Sequence, residues 1–316
     1  MKIFFSVIIP TYNRAQLLLE TLETVLAQTY QNFEVIIVDD GSTDNTGQII
    51  QKRYGTNSRV RYFYEDNEER GAARNFGIEQ AKGDYAVIFD SDDWMHTDHL
   101  SVIEKYITEH REVKINFIAT KYQLKNEYGR IINGFTSHLK EGGYGINEML
   151  KGSQFGCMYT INLHNPNLYF FPSDRKFSTH EDWIFLLKNL QQDNIYLIDK
   201  ITITVRHHEN RSMSMNTRVI KARKEAMKWG ADNLKLNTLQ KKIFFAYSAF
   251  FCGVHYYLDR QSFNAVREAF RAIKVGGLKK EFLVLFLKAV AGRTFIHHLK
   301  KIIRRYVAFF HYYSFI

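Results

Sequence analysis

Short β-branched apolar runs alternate with segments of helical periodicity in the first half of the chain. Phe4–Ile9 is an apolar run that a proline closes, and Ala15–Gln28 places its apolar residues on one helical face. The alternation continues with predicted strands at Glu34–Val38, Val60–Tyr64 and Ala86–Phe89 and predicted helices at Thr46–Tyr54 and Arg70–Ala81. Strands that are each followed by a helix indicate a parallel sheet with helices on both faces, and hence an α/β fold.

Polar residues follow three of these predicted strands, at the point where each strand ends. They are Thr11–Asn13, Asp39–Asp40 and Asp90–Asp93. Asn13 is also placed to cap the first helix. Because ligands bind outside the carboxyl ends of strands in such sheets, we expect the functional residues at this edge.

The middle and the end of the chain have different patterns. Asn126–Gly156 is polar and glycine-richer, which predicts loops and short strands near an acceptor pocket. Glu181–Leu190 predicts a helix, and Ile195–Leu197 and Ile201–Arg206 predict strands. From Thr217 onward the pattern is nearly all helical.

The net charge of +10 is unevenly distributed along the chain. Residues 216–316 contain 20 Lys and Arg and 5 Asp and Glu, a net +15, whereas the remainder has 23 basic and 28 acidic residues, a net −5. Cys157 and Cys252 form no CxxC pair, which favours a reducing compartment over a disulfide framework. Met1–Pro10 lacks the small-residue cleavage site of a signal peptide and is predicted to be a strand.

The strongest chemical signal is the sequence Phe89-Asp90-Ser91-Asp92-Asp93. Three carboxylates in four residues repel one another at the mouth of a buried strand, and a divalent cation offsets that repulsion. Hard oxygen ligands favour Mg²⁺ or Mn²⁺, bound with the help of a substrate diphosphate. The alternative is a solvated acidic loop or a helix N-cap, where aspartate is common.

Two other strand ends carry groups that suit a nucleotide. The Asp39–Gly41 segment offers a carboxylate to a nucleobase N–H or to ribose hydroxyls, although an ordinary Asp-Gly turn is the alternative. In Pro10–Arg14, Tyr12 offers an aromatic face for stacking on a base. The alternative for this segment is a strand end followed by a helix cap.

Together these segments resemble the nucleotide-binding half of family 2 glycosyltransferases, which have the GT-A fold. The resemblance rests on Ser6–Arg14, Val38–Thr46, Gly71–Asn75 with Gly77, and Gly83–Trp94, and it extends to about Arg206. The combination is specific, whereas no single segment is. It implies a GT-A catalytic domain at residues 1–215, followed by a basic, amphipathic helical region at 216–316.

The resemblance also implies roles for individual residues. Substrate-binding roles fall on Pro10, Thr11, Tyr12, Asp40, Arg74, Asp90, Glu181 and Arg206, and metal-binding roles fall on Asp92, Asp93, His207 and His208. In this assignment Tyr12 and Asp40 contact the base, and Asp90 and Asp92 form the family's DxD element. Arg74 lines the donor site, and its alternative is a surface arginine on a helix.

The sequence Thr179-His180-Glu181-Asp182-Trp183 resembles the family's ED element, whose aspartate is the general base in inverting members. An acceptor hydroxyl must lose its proton as it attacks the anomeric carbon. A carboxylate with an ordinary pKa of about 4 is ionised at neutral pH and accepts that proton. Asp182 is therefore the predicted catalytic residue, and a favourable interaction with the helix dipole is the alternative.

The segment Val205–Ser214 resembles the part of the family that closes over the donor diphosphate. In this interpretation Arg206 or Arg211 neutralises phosphate, and one of His207 and His208 is a further metal ligand. A polar loop with solvated histidines is the alternative.

The resemblance thus predicts an inverting, metal-dependent glycosyltransferase, hexosyl- or N-acetylhexosaminyl-type, of the bacterial surface-polysaccharide kind. It implies a nucleotide-sugar donor, expected to be a UDP-sugar. The expected acceptor is a glycan or lipid-linked glycan, in cell-surface polysaccharide or glycolipid synthesis. Two alternatives are a non-catalytic relative that binds nucleotide sugars and a sugar-phosphate nucleotidyltransferase, although no glycine-rich phosphate loop with a lysine lies near the start of the chain. The missing GxGxxG after the first strand disfavours a Rossmann dehydrogenase.

The final segment, Phe295–Tyr313, is amphipathic when drawn as a helix. One face carries aromatic and aliphatic residues and the other carries lysines and arginines, a pattern typical of interfacial membrane helices. We therefore predict a cytoplasmic protein that binds peripherally to the anionic inner face of the plasma membrane, the alternative being an apolar stripe that packs on the catalytic domain. The sequence has no nucleic-acid-binding motif, so we expect no nucleic-acid partner.

Overall fold

The computed structural model describes residues 2–126, 128–206 and 215–294. Contacts group the chain into two compact units, Met1–Ser214 and Met215–Ile316. We call them the N-terminal and the C-terminal unit. The amphipathic pattern at Phe295–Tyr313 lies outside the described residues, as do His207 and His208.

The described residues of the N-terminal unit form ten strands and six α-helices. The strands are β1 (Phe5–Thr11), β2 (Phe33–Asp40), β3 (Val60–Glu65), β4 (Tyr85–Ile88), β5 (Trp94–Met95), β6 (Phe117–Lys125), β7 (Ile131–Asn133), β8 (Gly142–Tyr144), β9 (Tyr159–Asn162) and β10 (Ile195–Arg206). The helices are α1 (Ala15–Leu26), α2 (Thr46–Tyr54), α3 (Arg70–Gln80), α4 (His99–Glu109), α5 (Ile146–Met149) and α6 (Glu181–Asn189). Short 3-10 turns span Phe135–His138 and Arg175–Phe177.

All ten strands join one sheet in the order β3-β2-β1-β4-β9-β6-β10-β5, with β7 paired to β6 and β8 paired to β10. The first four strands pair in parallel, as the sequence predicts. Beyond β4, where no strand direction is predicted, the sheet is mixed, because β9 pairs antiparallel with both β4 and β6. A parallel neighbour needs a crossover connection. The strand β9 instead follows the irregular segment after β6, which lets it enter in the opposite direction.

The predicted strands at Ile195–Leu197 and Ile201–Arg206 are two parts of the single strand β10. Its pairing with β6 shifts register between Ile198 and Ile203. Such irregularities bend a strand without ending it. The polar residues between the two apolar runs therefore mark a bulge in one strand.

Helices cover both faces of the central parallel strands β1, β2 and β4, which is why these strands are mostly apolar. Val7 and Ile9 pack in one core cluster with Leu18 of α1. Ile8, on the opposite face, meets α3 at Gly77. Since successive side chains of a strand point to opposite faces, an uninterrupted apolar run is the expected sequence of a strand buried on both sides.

The strand order reverses at β1, with β2 and β3 on one side and β4 on the other. Because β1 and β4 are parallel, with Ile8 beside Ile88, the segments that follow them leave the sheet at the same edge. Such a reversal leaves a crevice where ligands bind in open α/β sheets. Thr11–Asn13 and Asp90–Asp93 both lie at this edge.

Asn13 does not cap α1, so that prediction is wrong. Its φ is +51°, and its Oδ1 accepts hydrogen bonds from the backbone N–H of Thr43 at 2.7 Å and of Asp44 at 3.2 Å. The residue at the N-cap is Arg14, whose side chain makes no capping bond. The side-chain oxygen of Asn13 thus binds N–H groups of the loop after β2 and does not cap α1.

The C-terminal unit is helical in its described residues, as predicted. Its helices are α7 (Asn216–Asn233), α8 (Thr238–Leu258), α9 (Ser262–Gly276) and α10 (Lys280–Ala291). A capping box starts α8, with reciprocal hydrogen bonds of 2.9 and 3.0 Å between Asn237 and Gln240. A small core of Ala246, Ala249, Ala272 and Phe282 joins α8, α9 and α10. Of the helices described, none has the length and apolarity to cross a bilayer.

The close approach of α3 to β1 yields a test of the packing. A Cβ on Gly77 would lie 2.3 Å from Cγ2 of the fully buried Ile8. We expect Gly77→Ala to lower the free energy of unfolding by about 1–3 kcal/mol, despite the better helix propensity of alanine. Urea denaturation measures the change. The control is Glu79→Ala on the exposed side of α3, expected to change it by less than about 0.5 kcal/mol. Equal losses in both variants would contradict the packing explanation.

Candidate active site

Asp40 ends β2 and is held by the loop that follows β3. Its Oδ1 accepts a hydrogen bond from the backbone N–H of Glu68 at 2.8 Å, and its Oδ2 accepts one from Nδ2 of Asn67 at 3.2 Å. Burial raises the pKa of Asp40 to about 6, against the lowering effect of the Glu68 N–H. The carboxylate is therefore fixed in position and poorly hydrated, which favours pairing with a polar ligand.

The neighbouring Asp39 shapes the turn that presents this carboxylate. Its oxygens accept hydrogen bonds from the backbone N–H of Ser42 at 2.8 Å and from the hydroxyl of Tyr62 at 2.6 Å. Gly41 has a φ of +78°, and a Cβ there would lie 2.9 Å from the backbone nitrogen of Asn67. Only glycine fits this backbone and this approach. The Asp-Gly turn is thus present, and it is compatible with a nucleotide role for its neighbour.

Three carboxylates after β4 form one cluster. Oxygens of Asp90, Asp92 and Asp93 lie within 4.8 Å of one another. Arg14 Nη1 pairs with Asp92 Oδ2 at 2.7 Å, and the backbone N–H of Arg206 donates to Asp93 Oδ1 at 3.0 Å. The three carboxylates offer oxygen ligands only, and they repel one another at this distance. This ligand set fits a hard divalent cation such as Mg²⁺ or Mn²⁺.

A buried arginine joins this cluster to the start of α6. Arg74 is 1% exposed, with Nη1 2.8 Å from Glu181 Oε1 and Nη2 2.9 Å from Asp90 Oδ1. Arg70 Nε lies 3.5 Å from the same Glu181 oxygen. Although burial opposes it, Arg70 and Arg74 hold the pKa of Glu181 below its ordinary value. The alternative of a surface arginine is therefore wrong for Arg74, because its ion pairs with Asp90 and Glu181 stabilise the buried guanidinium.

Asp182 follows in the first turn of α6. Its Oδ2 accepts a hydrogen bond from Oγ of Ser153 at 3.0 Å. Burial and the adjacent Glu181 carboxylate raise the pKa of Asp182 to about 6. Thr179, just before α6, has a φ of +82°, a strained value for a β-branched residue. The two carboxylates of the ED element thus sit in opposite electrostatic environments.

Arg206 ends β10 and its guanidinium contacts several protein groups. Its Nε donates to the backbone oxygen of Asp92 at 2.6 Å, its Nη2 donates to that of Leu17 at 3.3 Å, and its Nη1 pairs with Glu20. The guanidinium also lies 4.8 Å from the ring of Trp94. These contacts tie β10 to α1 and to the acidic segment. The predicted phosphate contact of Arg206 stays a prediction.

The other predicted substrate residues lie at the end of β1. Pro10 and Thr11 belong to the buried strand, and Thr11 Oγ1 has no hydrogen-bond partner among the described residues. Tyr12 follows them and is 46% exposed, so its ring is accessible for stacking. The predicted metal ligands His207 and His208 lie outside the described residues.

Four residues that hold the site were not assigned a role from the sequence. Arg70 lies four residues before Arg74, a helical spacing that places both on one face and offers a usable signal. Arg14 is the last residue of the Pro10–Arg14 segment that contains Tyr12. Asn67 and Ser153 have no such signal, because they contact Asp40 and Asp182 across 27 and 29 residues of chain.

The sequence profile of glycosyl transferase family 2 matches residues 6–170, a little over half of the chain. The chain belongs to this family. The match includes every site segment up to β9, and the predicted membership is confirmed.

Relatives of similar sequence carry glycosyltransferase names. An uncharacterized glycosyltransferase of Rickettsia felis is 36% identical over 205 residues, which are 64% of this chain and 32% of the relative. The putative teichuronic acid biosynthesis glycosyltransferase TuaG of Bacillus subtilis is 32% identical over 189 residues, 59% of this chain and 73% of the relative. The chain thus spans about a third of the length of the Rickettsia felis relative.

Solved structures confirm the predicted GT-A fold of this chain. The complex of S. aureus TarS with UDP-GlcNAc superposes with a TM-score of 0.65 at 21% identity, covering 89% of this chain and 83% of that one. The mannosyltransferase PcManGT from Pyrobaculum calidifontis, in complex with GDP-Man and Mn²⁺, gives 0.61 at 17% identity, covering 92% and 81%. At these identities the likeness establishes the fold.

The buried network around Arg74 yields the second test. We expect Arg74→Gln to lower the free energy of unfolding by about 3 kcal/mol, because it leaves Glu181 buried with only the longer Arg70 contact. The control is Arg53→Gln, which breaks an exposed pair with Glu23 and is expected to cost less than about 1 kcal/mol. Both are measured by urea denaturation. A loss for Arg74→Gln no larger than the control would show that the bridge does not hold the site together.

Proposed function

We propose that this glycosyltransferase transfers a hexosyl or N-acetylhexosaminyl group from a nucleotide sugar, a UDP-sugar, to an acceptor hydroxyl with inversion at the anomeric carbon. The reaction depends on Mn²⁺ or Mg²⁺. One observation carries the proposal: Arg74 bridges Asp90 and Glu181, and so holds the acidic cluster beside the ED element. This bridge supports a single site in which leaving-group stabilisation and proton removal are adjacent.

The nucleotide is assigned to the ends of β1 and β2. Tyr12 stacks on the base, and the Asp40 carboxylate accepts a base N–H. Pro10 and Thr11 form the floor beneath Tyr12. The pKa of about 6 for Asp40 means that this acceptor is ionised at neutral pH. TarS was solved with UDP-GlcNAc and PcManGT with GDP-Man, which supports a nucleoside-diphosphate sugar as donor class.

The metal is assigned to Asp92 and Asp93, with one of His207 and His208 as a further ligand. When bound, the cation offsets the charge of the departing diphosphate. Asp90 and Arg74 line the sugar side of the donor, and Arg206 lies close enough to the acidic segment to contribute positive charge there. Mn²⁺ in the PcManGT complex supports this assignment.

Asp182 is the proposed general base. Burial and Glu181 make it a stronger base than an ordinary aspartate, yet it is still ionised at neutral pH. The hydrogen bond from Ser153 orients its carboxylate. The acceptor oxygen attacks the anomeric carbon opposite the diphosphate as Asp182 takes its proton, so no covalent sugar–enzyme bond forms and the configuration inverts.

The acceptor is proposed to be a glycan or lipid-linked glycan of cell-surface polysaccharide or glycolipid synthesis. The name of TuaG, which refers to teichuronic acid biosynthesis, supports this class. The net charge of +15 over residues 216–316 and the amphipathic pattern at Phe295–Tyr313 support peripheral binding to the inner face of the plasma membrane.

A donor screen tests the enzyme class and the metal. The purified chain is incubated with UDP-, GDP- and TDP-sugars, with and without Mn²⁺ or Mg²⁺, and nucleoside diphosphate release is measured. We expect release from UDP-sugars that chelation abolishes and Mn²⁺ restores. Release that survives chelation would contradict the metal assignment. Donor binding without release or transfer would identify a non-catalytic nucleotide-sugar binder instead.

Substitution of the base tests the mechanism. We expect Asp182→Asn to lower kcat by about 10²–10⁴-fold with little change in donor KM. In the wild type, kcat should be full above pH 7 and fall as pH drops through about 6, because protonation removes the base. The control is Asp199→Asn, an exposed carboxylate paired with Lys121, which should keep wild-type activity. Near-full activity of Asp182→Asn would remove the base assignment.

A stability measurement separates lost chemistry from misfolding. The folded pKa of Asp182, about 6, lies above the ordinary value near 4, so its ionisation destabilises the fold as pH rises from about 4 to 6. Asn cannot ionise, so Asp182→Asn should have a Tm at pH 7 equal to or above the wild-type Tm. A large fall in Tm would make the kinetic result uninformative about the base, and Asp182→Ser then serves as the second variant.

A further inference from the structure

Helix α9 exposes its large apolar residues and buries its small ones, which is the reverse of an ordinary surface helix. Phe263 is 79% and Phe270 is 57% exposed, while the buried side carries Ala265, Ala269 and Ala272. A helix that only packs on its own unit buries its largest apolar residues. Exposed phenylalanines of this kind mark a surface that meets an apolar partner.

Three cations share that side of α9. Arg267, Arg271 and Lys274 are exposed and, at 100° per residue, lie with Phe263 and Phe270 within an arc of about 100°. We name these five residues the α9 face. A helix surface that presents aromatic rings beside cations offers apolar contact and attraction to anionic headgroups at the same time.

Two acidic residues offset part of this charge. Residues 262–291 contain six Lys and Arg against two acids. Glu268 is 5% exposed and lies 3.8 Å from Arg267 and 4.0 Å from Arg271. Glu281 accepts a hydrogen bond from the hydroxyl of Tyr247 at 2.6 Å. In the described part of α9 and α10 neither acid is exposed, so the surface presents positive charge to a partner.

The C-terminal unit exposes other apolar residues near α9 in sequence. Leu278, in the turn before α10, is 82% exposed. The exposed apolar residues of α10 are Leu283, Val284, Leu287 and Val290.

We propose that the α9 face binds an anionic lipid bilayer, with Phe263 and Phe270 inserted at the headgroup boundary and the three cations on lipid phosphates. Charge complementarity selects this occupant, because a cationic face repels a second copy of itself. The assignment rests on the peripheral membrane binding proposed above and locates it on α9. It does not depend on the proposed transfer reaction or on the segment Phe295–Tyr313.

Vesicle co-sedimentation of the full chain tests the assignment. Wild type, Phe263→Ser/Phe270→Ser and Arg267→Gln/Arg271→Gln/Lys274→Gln are mixed with phosphatidylcholine vesicles, with and without phosphatidylglycerol. We expect wild type to bind only the anionic vesicles, and each variant to lose about tenfold or more in partition coefficient. Binding of the wild type should also fall with added salt.

Matched controls come from exposed positions of the N-terminal unit. Phe135→Ser matches the aromatic change at 66% exposure, and Lys52→Gln/Lys105→Gln/Lys114→Gln matches the charge change. Both controls should bind anionic vesicles as wild type does. Equal losses in the controls would show a nonspecific effect of charge or of apolar area, and would overturn the assignment.

Three other results would also overturn it. The first is unchanged binding of both α9 variants to anionic vesicles. The second is a wild-type dimer without vesicles that the α9 variants no longer form, which would identify a second copy of the chain as the partner. The third is loss of single-stranded polynucleotide binding in the variants while vesicle binding stays intact, which would identify a nucleic acid. Nucleoside diphosphate release in solution is measured in parallel and should be unchanged in both variants. A wrong lipid surface is therefore distinguishable from a wrong reaction.

Discussion

The buried guanidinium of Arg74 is the contact on which the rest of the site depends. A charge removed from water is costly unless carboxylates surround it, and Arg74 has one on each side, Asp90 at 2.9 Å and Glu181 at 2.8 Å. The second of these contacts spans 107 residues of sequence. One planar group thus fixes the acidic segment after β4 against the first turn of α6.

The same charges shift the pKa values of the two adjacent acids Glu181 and Asp182 in opposite directions. Arg70 and Arg74 lower the pKa of Glu181, and the ionised Glu181, together with burial, raises that of Asp182. Neighbouring carboxylates whose pKa values are pushed apart are the usual signature of distinct roles. Glu181 is stabilised as an anion that positions α6. Asp182 binds a proton more tightly than an ordinary aspartate does.

Local pattern accounts for much of the fold, and long-range contacts account for what it missed. The strands β1, β2 and β4 are mostly apolar because helices cover both of their faces. Their strand character and the polar residues at their ends can therefore be predicted from the sequence. The antiparallel entry of β9 cannot, because strand direction depends on a connection without periodicity. The roles of Ser153 and Asn67 are also not predictable, because their partners are distant in sequence. Nor is the burial of Arg74, which its two carboxylate partners explain.

The shared cleft is tested most directly by anomalous diffraction from crystals grown with Mn²⁺ and UDP. The arrangement of carboxylates predicts a manganese peak within coordination distance of Asp92 or Asp93, the base between Tyr12 and Asp40, and Asp182 facing the same cleft. A peak elsewhere, or a nucleotide bound away from Asp40 and Asp182, would contradict a single site built around the Arg74 bridge.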